Sequence, residues 1–258
     1  MNQMPDRSQF AVDDGLLSPP RLQPIRALRA FAKLVEDKED TAQVFEIIDA
    51  LSGKSIQNGY NRMLRTQKGG EQAYARLELA EYFDDPEWLG KFGPGTVGAA
   101  YREFRQERDL TVLGLAQEAA KVNDSVEAAH PIAWYARRIR DVHDLWHTIT
   151  GYKTDALGEA SLLAFTFGQL GNGALAFIAA GAANEFRKSG LPFPYGKSIL
   201  EGYRHGRAAK RLIDEDYLAL LGEPVEQVRQ RLNIATPSIY LSIPADARNA
   251  YRDQPLAA

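Results

Sequence analysis

The stretch of sequence that decides the fold runs from Ala160 to Asn184 and reads ASLLAFTFGQLGNGALAFIAAGAAN, without one charged side chain. Its length alone would allow a helix to cross a lipid bilayer. The central Gly171-Asn172-Gly173 predicts a break, and the two halves of about 11 residues would each be only ~16 Å long as helices. Gln169 and Asn172 would also be costly in lipid. The pattern therefore predicts a buried helical hairpin, which could also line a groove for a long apolar ligand.

The composition is that of an ordinary globular protein and restricts the kinds of site it can carry. Of 258 residues, 45% are hydrophobic and 25% are charged, and the net charge is -3. We therefore expect no general attraction to nucleic acid. Because the chain has no cysteine, thiolate metal sites are excluded, and any metal must be held by histidine and carboxylate ligands. The N-terminal sequence does not resemble a secretory signal, and we expect a cytoplasmic protein that can touch the inner face of the membrane.

Helical patterns continue on both sides of the apolar stretch, whereas segments with the two-residue period of a strand are scarce. Before it, one helix is predicted over about residues 131–150, because Pro131 can begin it and Gly151 can end it. After it, a long helix is predicted from about Lys197 to Leu221, followed by a short one from Pro224 to near Asn233. Other helices are predicted at about residues 24–37, 41–52, 55–66, 72–83, 97–108 and 111–121. We expect an all-α fold, in a single helical domain.

Prolines indicate the limits of this domain. Pro19-Pro20 and then Pro24 predict a flexible lead-in over residues 1–23. The helical domain would cover residues 24–235, and the proline-containing segment 236–258 is predicted to be an extended tail.

Apolar and basic residues share the first predicted helix. Its apolar stripe, expected to face the core, consists of Ile25, Leu28, Phe31, Ala32 and Val35. A basic face on the same helix is typical either of an ordinary amphipathic helix or of a helix that lies on a membrane surface. That face consists of Arg26, Arg29 and Lys33.

The segment Asp141-Val-His143-Asp144-Leu-Trp-His147 carries the pattern of a metal site. His143 and His147 are four residues apart, so on a helix both imidazoles lie on one face and can share one metal ion. Asp144 lies three residues before His147 and could be a third ligand, or it could orient an imidazole from outside the ligand set. The alternative is a pair of half-buried helical histidines that bond only to neighbouring protein groups.

Glu159 is a further candidate ligand, because Gly151 lets the chain turn and the next helix can begin near Asp155. Glu159 would then lie in the first turns of an antiparallel helix and face the two histidines. Two histidines with one or two carboxylates suit zinc, iron or manganese. The phosphohydrolases that also use an adjacent His-Asp pair need a histidine well upstream, and His130 is too close to serve.

Three segments together resemble a known family: Arg140–His147, then Thr150-Gly151, then Thr154-Asp155-x-Leu157-Gly158-Glu159. They are similar to the signature of the coenzyme Q (ubiquinone) biosynthesis protein 4 family. The resemblance covers roughly residues 25–234 and includes the further segments Asp40–Gly53, Gly95–Tyr101 and His205–Lys210.

The resemblance implies an all-helical protein that binds a metal through His143, Asp144, His147 and Glu159. Zinc is the metal usually described, and iron, manganese or magnesium are alternatives. It also implies peripheral contact with a membrane and with other ubiquinone biosynthesis enzymes, and we expect a homo-oligomer such as a homodimer. Family members are described as lyases that remove the ring C1 carboxyl of a polyprenyl-hydroxybenzoate, with or without oxidation, and also as scaffolds that hold such lipids. A metal with an open position favours the enzyme, and a closed site favours the scaffold.

Two further groups of residues are candidates for contact with a polyprenylated aromatic lipid. An isoprenoid tail would lie along Leu163, Phe167, Leu170 and Phe177 in the charge-free stretch. A basic helix face could bind a lipid phosphate or a substrate carboxylate, or it could be a solvated face paired with acids such as Asp214. This face consists of Arg204, Arg207, Lys210 and Arg211.

Overall fold

The computed structural model describes residues 20–37, 40–106 and 112–250, and the predicted lead-in up to residue 19 lies outside these ranges. The described part contains sixteen α-helices and, apart from one isolated bridge between Thr96 and Pro224, no β-pairing. The all-α prediction is therefore confirmed. The helices are α1 Pro24–Glu36, α2 Thr41–Leu51, α3 Ser55–Met63, α4 Gln67–Ala75, α5 Leu79–Phe83, α6 Pro86–Leu89, α7 Val97–Gln106, α8 Val112–Val122, α9 Pro131–Asp141, α10 His143–Thr150, α11 Ala156–Leu170, α12 Gly173–Lys188, α13 Tyr195–Ala208, α14 Tyr217–Leu220, α15 Val225–Leu232 and α16 Ser238–Ser242.

The charge-free stretch forms the helical hairpin α11–α12, and the break falls where it was predicted. Gly171 ends α11 with φ of +73°, and the side chain of Asn172 caps α12 by accepting the N–H of Ala174. Gln169 donates to the carbonyl of Gly206 at 2.6 Å, and Asn172 donates to Ser52 Oγ at 2.9 Å, so protein groups satisfy both amides. Among the described residues, no helix combines the length and apolar character needed to cross a membrane.

Helix α13 lies unusually close to α11 because glycines face it. A Cβ atom on Gly202 would come within 2.2 Å of the carbonyl oxygen of Ser161, and one on Gly206 within 2.1 Å of that of Phe165. Their spacing of four residues puts both glycines on one face of α13. Ser198, one turn earlier, extends this face and hydrogen-bonds Ser161 Oγ at 3.1 Å. The close approach holds α13 in place along the helix that carries Glu159.

Helix α1 is rotated relative to the predicted stripe. Its buried residues are Ala27 and Ala30, whereas Ile25 and Leu28 are 66% and 57% exposed. The prediction was wrong for these two residues and for Ala32, which is also exposed, because the small Ala27 and Ala30 let α1 approach α2 closely. The residues Ala27 and Ala30 form a small hydrophobic cluster with residues of α2 and α12, and Phe31 is partly buried against it. That part of the predicted stripe does face the protein.

The long helix predicted over residues 197–221 ends early. Helix α13 stops at Ala208, and a 3-10 turn over Leu212–Asp214 separates it from α14. Tertiary hydrogen bonds explain the difference, since the backbone N–H of Leu212 donates to the Gln169 side chain at 2.9 Å. The helix predicted over residues 131–150 is likewise divided at Val142, between α9 and α10.

The segment after Thr236, predicted to be extended, folds against the domain as far as residue 250. It forms α16 and a 3-10 turn over Asp246–Asn249. The buried carboxylate of Glu201 accepts the backbone N–H groups of Ile239 and Tyr240 and so caps α16. This tertiary cap is absent from the local sequence and accounts for the wrong prediction. Residues 251–258 lie outside the described ranges.

Candidate metal centre

A short turn between α10 and α11 positions the candidate ligands. Gly151 ends α10 with φ of +82°, a backbone conformation that favours glycine. Asp155 then begins α11 by accepting the N–H of Gly158 at 2.8 Å. A Cβ atom on Gly158 would lie 1.9 Å from the carbonyl oxygen of Lys153, so the turn is this tight only with glycine there. It brings Glu159, one residue later, back over α10.

Three donor atoms from these two helices converge. His143 Nε2 lies 3.2 Å from His147 Nε2, and Glu159 Oε2 lies 3.3 Å from the first and 3.2 Å from the second. The imidazole of His147 is fully buried, while the side chains of His143 and Glu159 are 28% and 25% exposed. The three donor atoms are therefore shielded from solvent on the His147 side and accessible to solvent on the side of His143 and Glu159.

The protonation of His147 is determined by its second ring nitrogen. Nδ1 of His147 lies 2.9 Å from the carbonyl oxygen of Tyr152, which can only accept, so Nδ1 carries a proton. In the neutral ring the lone pair is therefore on Nε2, the atom directed at His143 and Glu159. Metal-binding histidines commonly have this arrangement, because the outer hydrogen bond fixes both tautomer and ring orientation.

The three donors fit one metal ion. Zinc–nitrogen and zinc–oxygen bonds are about 2.0–2.1 Å long, so two donors on a tetrahedral ion are separated by ~3.3 Å. The three separations observed are 3.2, 3.2 and 3.3 Å. A triangle of this size, formed by two imidazole nitrogens and one carboxylate oxygen, would accept a divalent ion without movement of the helices.

Asp144 offers a second carboxylate to the same histidines. It is buried, and one of its carboxylate oxygens and one nitrogen each of His143 and His147 all lie within 4.8 Å of one another. These three residues form a possible metal-binding triad. Glu159 contacts the same two imidazoles, so all four predicted residues are brought together at one place, and their roles as ligands stay a prediction.

The electrostatics of the group favour an ionised carboxylate. Burial raises the pKa of Glu159, but the nearby His147 and His143 outweigh it and hold that pKa well below its usual range. Burial lowers the pKa of His147, but the Glu159 carboxylate outweighs it and raises that pKa above its usual value. Without a metal, a proton on His147 is therefore stabilised, and a metal ion must displace it.

We expect metal affinity to fall as the pH decreases, and to begin falling at a higher pH than for an ordinary histidine pair. The raised pKa of His147 lets protons compete with the metal at that higher pH. Glu159→Gln removes the charge that raises this pKa, so the midpoint of the affinity loss should move to lower pH. Calorimetric zinc titration at a series of pH values measures both midpoints. The same midpoint in both proteins would contradict the assignment.

Helix α7 forms a second wall of the site that the sequence patterns did not reveal. The ring of Phe104 stacks on the imidazole of His147, with centroids 5.7 Å apart and planes inclined by 20°. One turn earlier on α7, the hydroxyl of Tyr101 is buried and has no hydrogen-bond partner among the described residues. Burial, and then the charge of Asp144, raises the pKa of Tyr101. The three-residue spacing of Tyr101 and Phe104 indicates a shared helix face, but nothing in the sequence shows that this face meets α10.

Three of the four residues predicted to hold a lipid tail belong to or pack against two hydrophobic clusters, the main core and a smaller cluster of α1, α2 and α12, and Phe167 belongs to neither. Leu170 is buried in the main core, and Leu163 touches both clusters. Phe177 meets Phe31 of α1 at 5.5 Å, whereas Phe167 stacks on Tyr203 at 5.4 Å. Their role in lipid binding stays a prediction.

The prediction that four basic residues share one helix face was wrong, because α13 ends at Ala208 and both Lys210 and Arg211 lie beyond its end. Arg211 forms an ion pair with Asp214 at 3.0 Å, as expected for a solvated face. The other three residues, Arg204, Arg207 and Lys210, are exposed. Contact of these residues with a lipid head group stays a prediction.

Comparison with known proteins gives a consistent set of matches. The family described as "Coenzyme Q (ubiquinone) biosynthesis protein Coq4" matches residues 24–238. The ubiquinone biosynthesis protein COQ4 homolog, mitochondrial, of Danio rerio is 30% identical over 148 residues, which are 57% of this chain and 52% of that protein. The homolog of the same name in Xenopus tropicalis is 28% identical over 185 residues, 69% of this chain and 61% of that protein. The chain therefore spans about half the length of the Danio rerio relative.

A solved structure supports the fold. A crystal structure from Nostoc punctiforme PCC 73102, provisionally designated a ubiquinone biosynthesis protein, superposes with a TM-score of 0.60. The match covers 83% of this chain and 100% of that chain, at 20% sequence identity. At this identity the likeness supports the helical fold alone.

Proposed function

This chain belongs to the Coq4 family of coenzyme Q (ubiquinone) biosynthesis proteins, and from that premise we propose that it acts in ubiquinone biosynthesis. We further propose that it is a metal-dependent lyase that removes the ring C1 carboxyl of a polyprenyl-hydroxybenzoate. The observation that carries the proposal is the triangle of donor atoms from His143, His147 and Glu159, with separations of 3.2–3.3 Å. Zinc is the first candidate metal, with iron, manganese and magnesium as alternatives.

A bound divalent ion would supply a Lewis acid that polarises the phenol or carboxylate oxygen of the substrate. The chain's own residues supply orientation and access. The carbonyl of Tyr152 holds His147 in the tautomer that directs a lone pair into the site. Phe104 covers the face of the same imidazole and limits the approach of water. The partly exposed edge formed by His143 and Glu159 is where a substrate carboxylate could approach.

The proposed partners follow from the family and from the substrate. A polyprenylated aromatic lipid would be the ligand, and other ubiquinone biosynthesis enzymes and a second copy of the chain are proposed partners. The cytoplasmic location expected from the sequence stays a prediction, since the word mitochondrial in the names of the relatives describes those proteins.

We expect Glu159→Gln to lower ring-carboxyl loss by about a hundredfold or more at saturating metal. The substitution keeps size and shape but removes the charge that contacts both imidazoles. Binding of the prenyl tail should change by less than about twofold, because the tail would not contact this oxygen. The measurement is carbon dioxide release from substrate labelled at the ring carboxyl, with Glu118→Gln as a control, a carboxylate of α8 that is 32% exposed and pairs with Lys121.

Equal turnover in the Glu159→Gln and wild-type proteins would remove Glu159 from the mechanism. If neither protein turns over substrate while both bind the lipid and the metal, the lyase proposal fails. The alternative is then a non-catalytic scaffold that holds prenylated intermediates. In that case, pathway output in cells should survive Glu159→Gln as long as the fold and lipid binding survive.

A further inference from the structure

Helix α7 carries a tyrosine hydroxyl into the interior of the protein without pairing it. Tyr101 is fully buried, and its hydroxyl forms no hydrogen bond with any residue that the structure describes. The ring itself is held in place, since it packs edge-on against Phe83 with ring centroids 5.3 Å apart. Tyrosine hydroxyls in protein interiors usually have a partner, so an unpaired one needs an explanation.

The position of Tyr101 is beside the candidate metal centre. Three residues later on α7, Phe104 stacks on the imidazole of His147 with ring centroids 5.7 Å apart. On α10, Asp144 lies three residues before His147. A spacing of three puts each pair on one face of its helix. The packing of α7 on α10 therefore brings the face that carries Tyr101 to the face that carries Asp144.

The electrostatics agree with this placement. Burial raises the pKa of Tyr101, and the charge of Asp144 raises it further, with a larger effect than that of Asp84 or Asp141, whereas Arg105 lowers it. The ordinary pKa of a tyrosine is about 10, so this phenol keeps its proton at neutral pH and remains a donor. An ionised carboxylate can only accept a hydrogen bond. The Tyr101 hydroxyl and the Asp144 carboxylate are therefore complementary.

The two other acids near Tyr101 have their charges balanced by arginines. Asp84 pairs with Arg105 at 2.5 Å, and Asp141 pairs with Arg140 at 2.9 Å. This favours Asp144, whose charge has the largest effect on the hydroxyl, as the acceptor.

We propose that Tyr101 is a positioning residue of the metal centre: its hydroxyl donates to one oxygen of Asp144, so that the other oxygen faces His143 and His147. The hydroxyl has no hydrogen bond to a described residue, so the proposed bond requires a rotation of one of the two side chains. Carboxylates in metal sites are commonly held by such an outer hydrogen bond, which fixes their orientation. The inference rests on the metal centre of the proposed function but not on turnover.

The first test measures zinc affinity by calorimetric titration of metal-stripped protein. Tyr101→Phe keeps the ring and removes the oxygen, and it should lower the affinity about tenfold or more. Tyr135→Phe is the matched control, because Tyr135 is also fully buried and its hydroxyl also has no partner among the described residues. It lies on α9, where the charge that acts most strongly on it is that of Arg211. The control should bind zinc as wild-type protein does, and thermal unfolding checks that both variants fold.

The second test asks whether Tyr101 acts through Asp144. Asp144→Ala removes the proposed acceptor and leaves the triangle of donor atoms, so zinc affinity stays measurable. In that background, Tyr101→Phe should change the affinity by less than about twofold. With Asp144 present, Tyr101→Phe should also change the absorption spectrum of bound Co²⁺, which depends on the arrangement of the ligands, whereas Tyr135→Phe should leave it unchanged.

Two outcomes would overturn the inference and leave the metal centre standing. One is Tyr101→Phe protein that binds zinc as tightly as the Tyr135→Phe control. The other is an equal loss of affinity with and without Asp144→Ala, which would give Tyr101 a role in packing alone. Failure of the metal centre itself would be distinct, since wild-type protein would then bind no zinc, and the inference would fall with it. Because no arm of the test uses turnover, failure of the lyase proposal is measured separately.

Discussion

His147→Ala protein should be isolated almost free of divalent metal, with metal affinity lowered by more than about a hundredfold. Loss of a partner outside the ligand set already costs 10–100-fold in comparable sites, and His147 would be a direct ligand. It is also the fully buried member of the donor triangle, so its truncation removes a donor that is held in place by the surrounding core. His143→Ala should have the same effect, and elemental analysis of the purified proteins measures it.

The matched control is His205→Ala. His205 is a half-buried histidine whose ring nitrogen lies 3.4 Å from the hydroxyl of Tyr152, and it has no contact with the donor triangle. The control protein should retain its metal. If His147→Ala and His205→Ala proteins contain equal amounts, the histidine pair is not a metal site and the bonds among His143, His147 and Glu159 are structural only.

Gly206→Ala should lower the free energy of unfolding by about 3 kcal/mol or more. The added methyl group would lie 2.1 Å from the carbonyl oxygen of Phe165, a backbone atom that can move only if α11 moves. Gly196→Ala in the same helix is the control, since a Cβ atom there meets nothing within 4 Å. It should stabilise the protein by up to about 1 kcal/mol, because alanine favours a helix more than glycine does. Chemical denaturation of the two variants decides between these effects, and equal stabilities would disprove the close packing.

The convergence of the candidate ligands was predictable because its geometry is local. The four-residue spacing of His143 and His147 acts through a single helix, and the turn signals Gly151 and Asp155 determine where the next helix begins. Once the end of one helix and the start of the next are known, an antiparallel arrangement of the two helices places Glu159 beside the histidines. The hairpin break at Gly171 was predictable for the same reason, since the chain needs a left-handed residue there.

The features that sequence reasoning missed depend on contacts between distant segments. The close approach of α7 to α10 depends on packing between helices, so the contact of Phe104 with His147 has no local signal. The predicted buried face of α1 was wrong because Ala27 and Ala30 add little to an apolar pattern. Their small size nevertheless makes them the residues that contact α2. The early end of α13 depends on Gln169, a residue on another helix.

A residue of the C-terminal segment stabilises the N-cap of α11. The hydroxyl of Tyr240 donates to the carboxylate of Asp155, which holds the first turn of the helix that carries Glu159. The match to the family ends at residue 238, two positions before this tyrosine. A chain truncated after residue 238 would keep every candidate ligand but would lose the hydrogen bond from Tyr240 to Asp155, which holds the turn before Glu159. The contacts that orient the candidate ligand Glu159 therefore extend past the segment matched by the family.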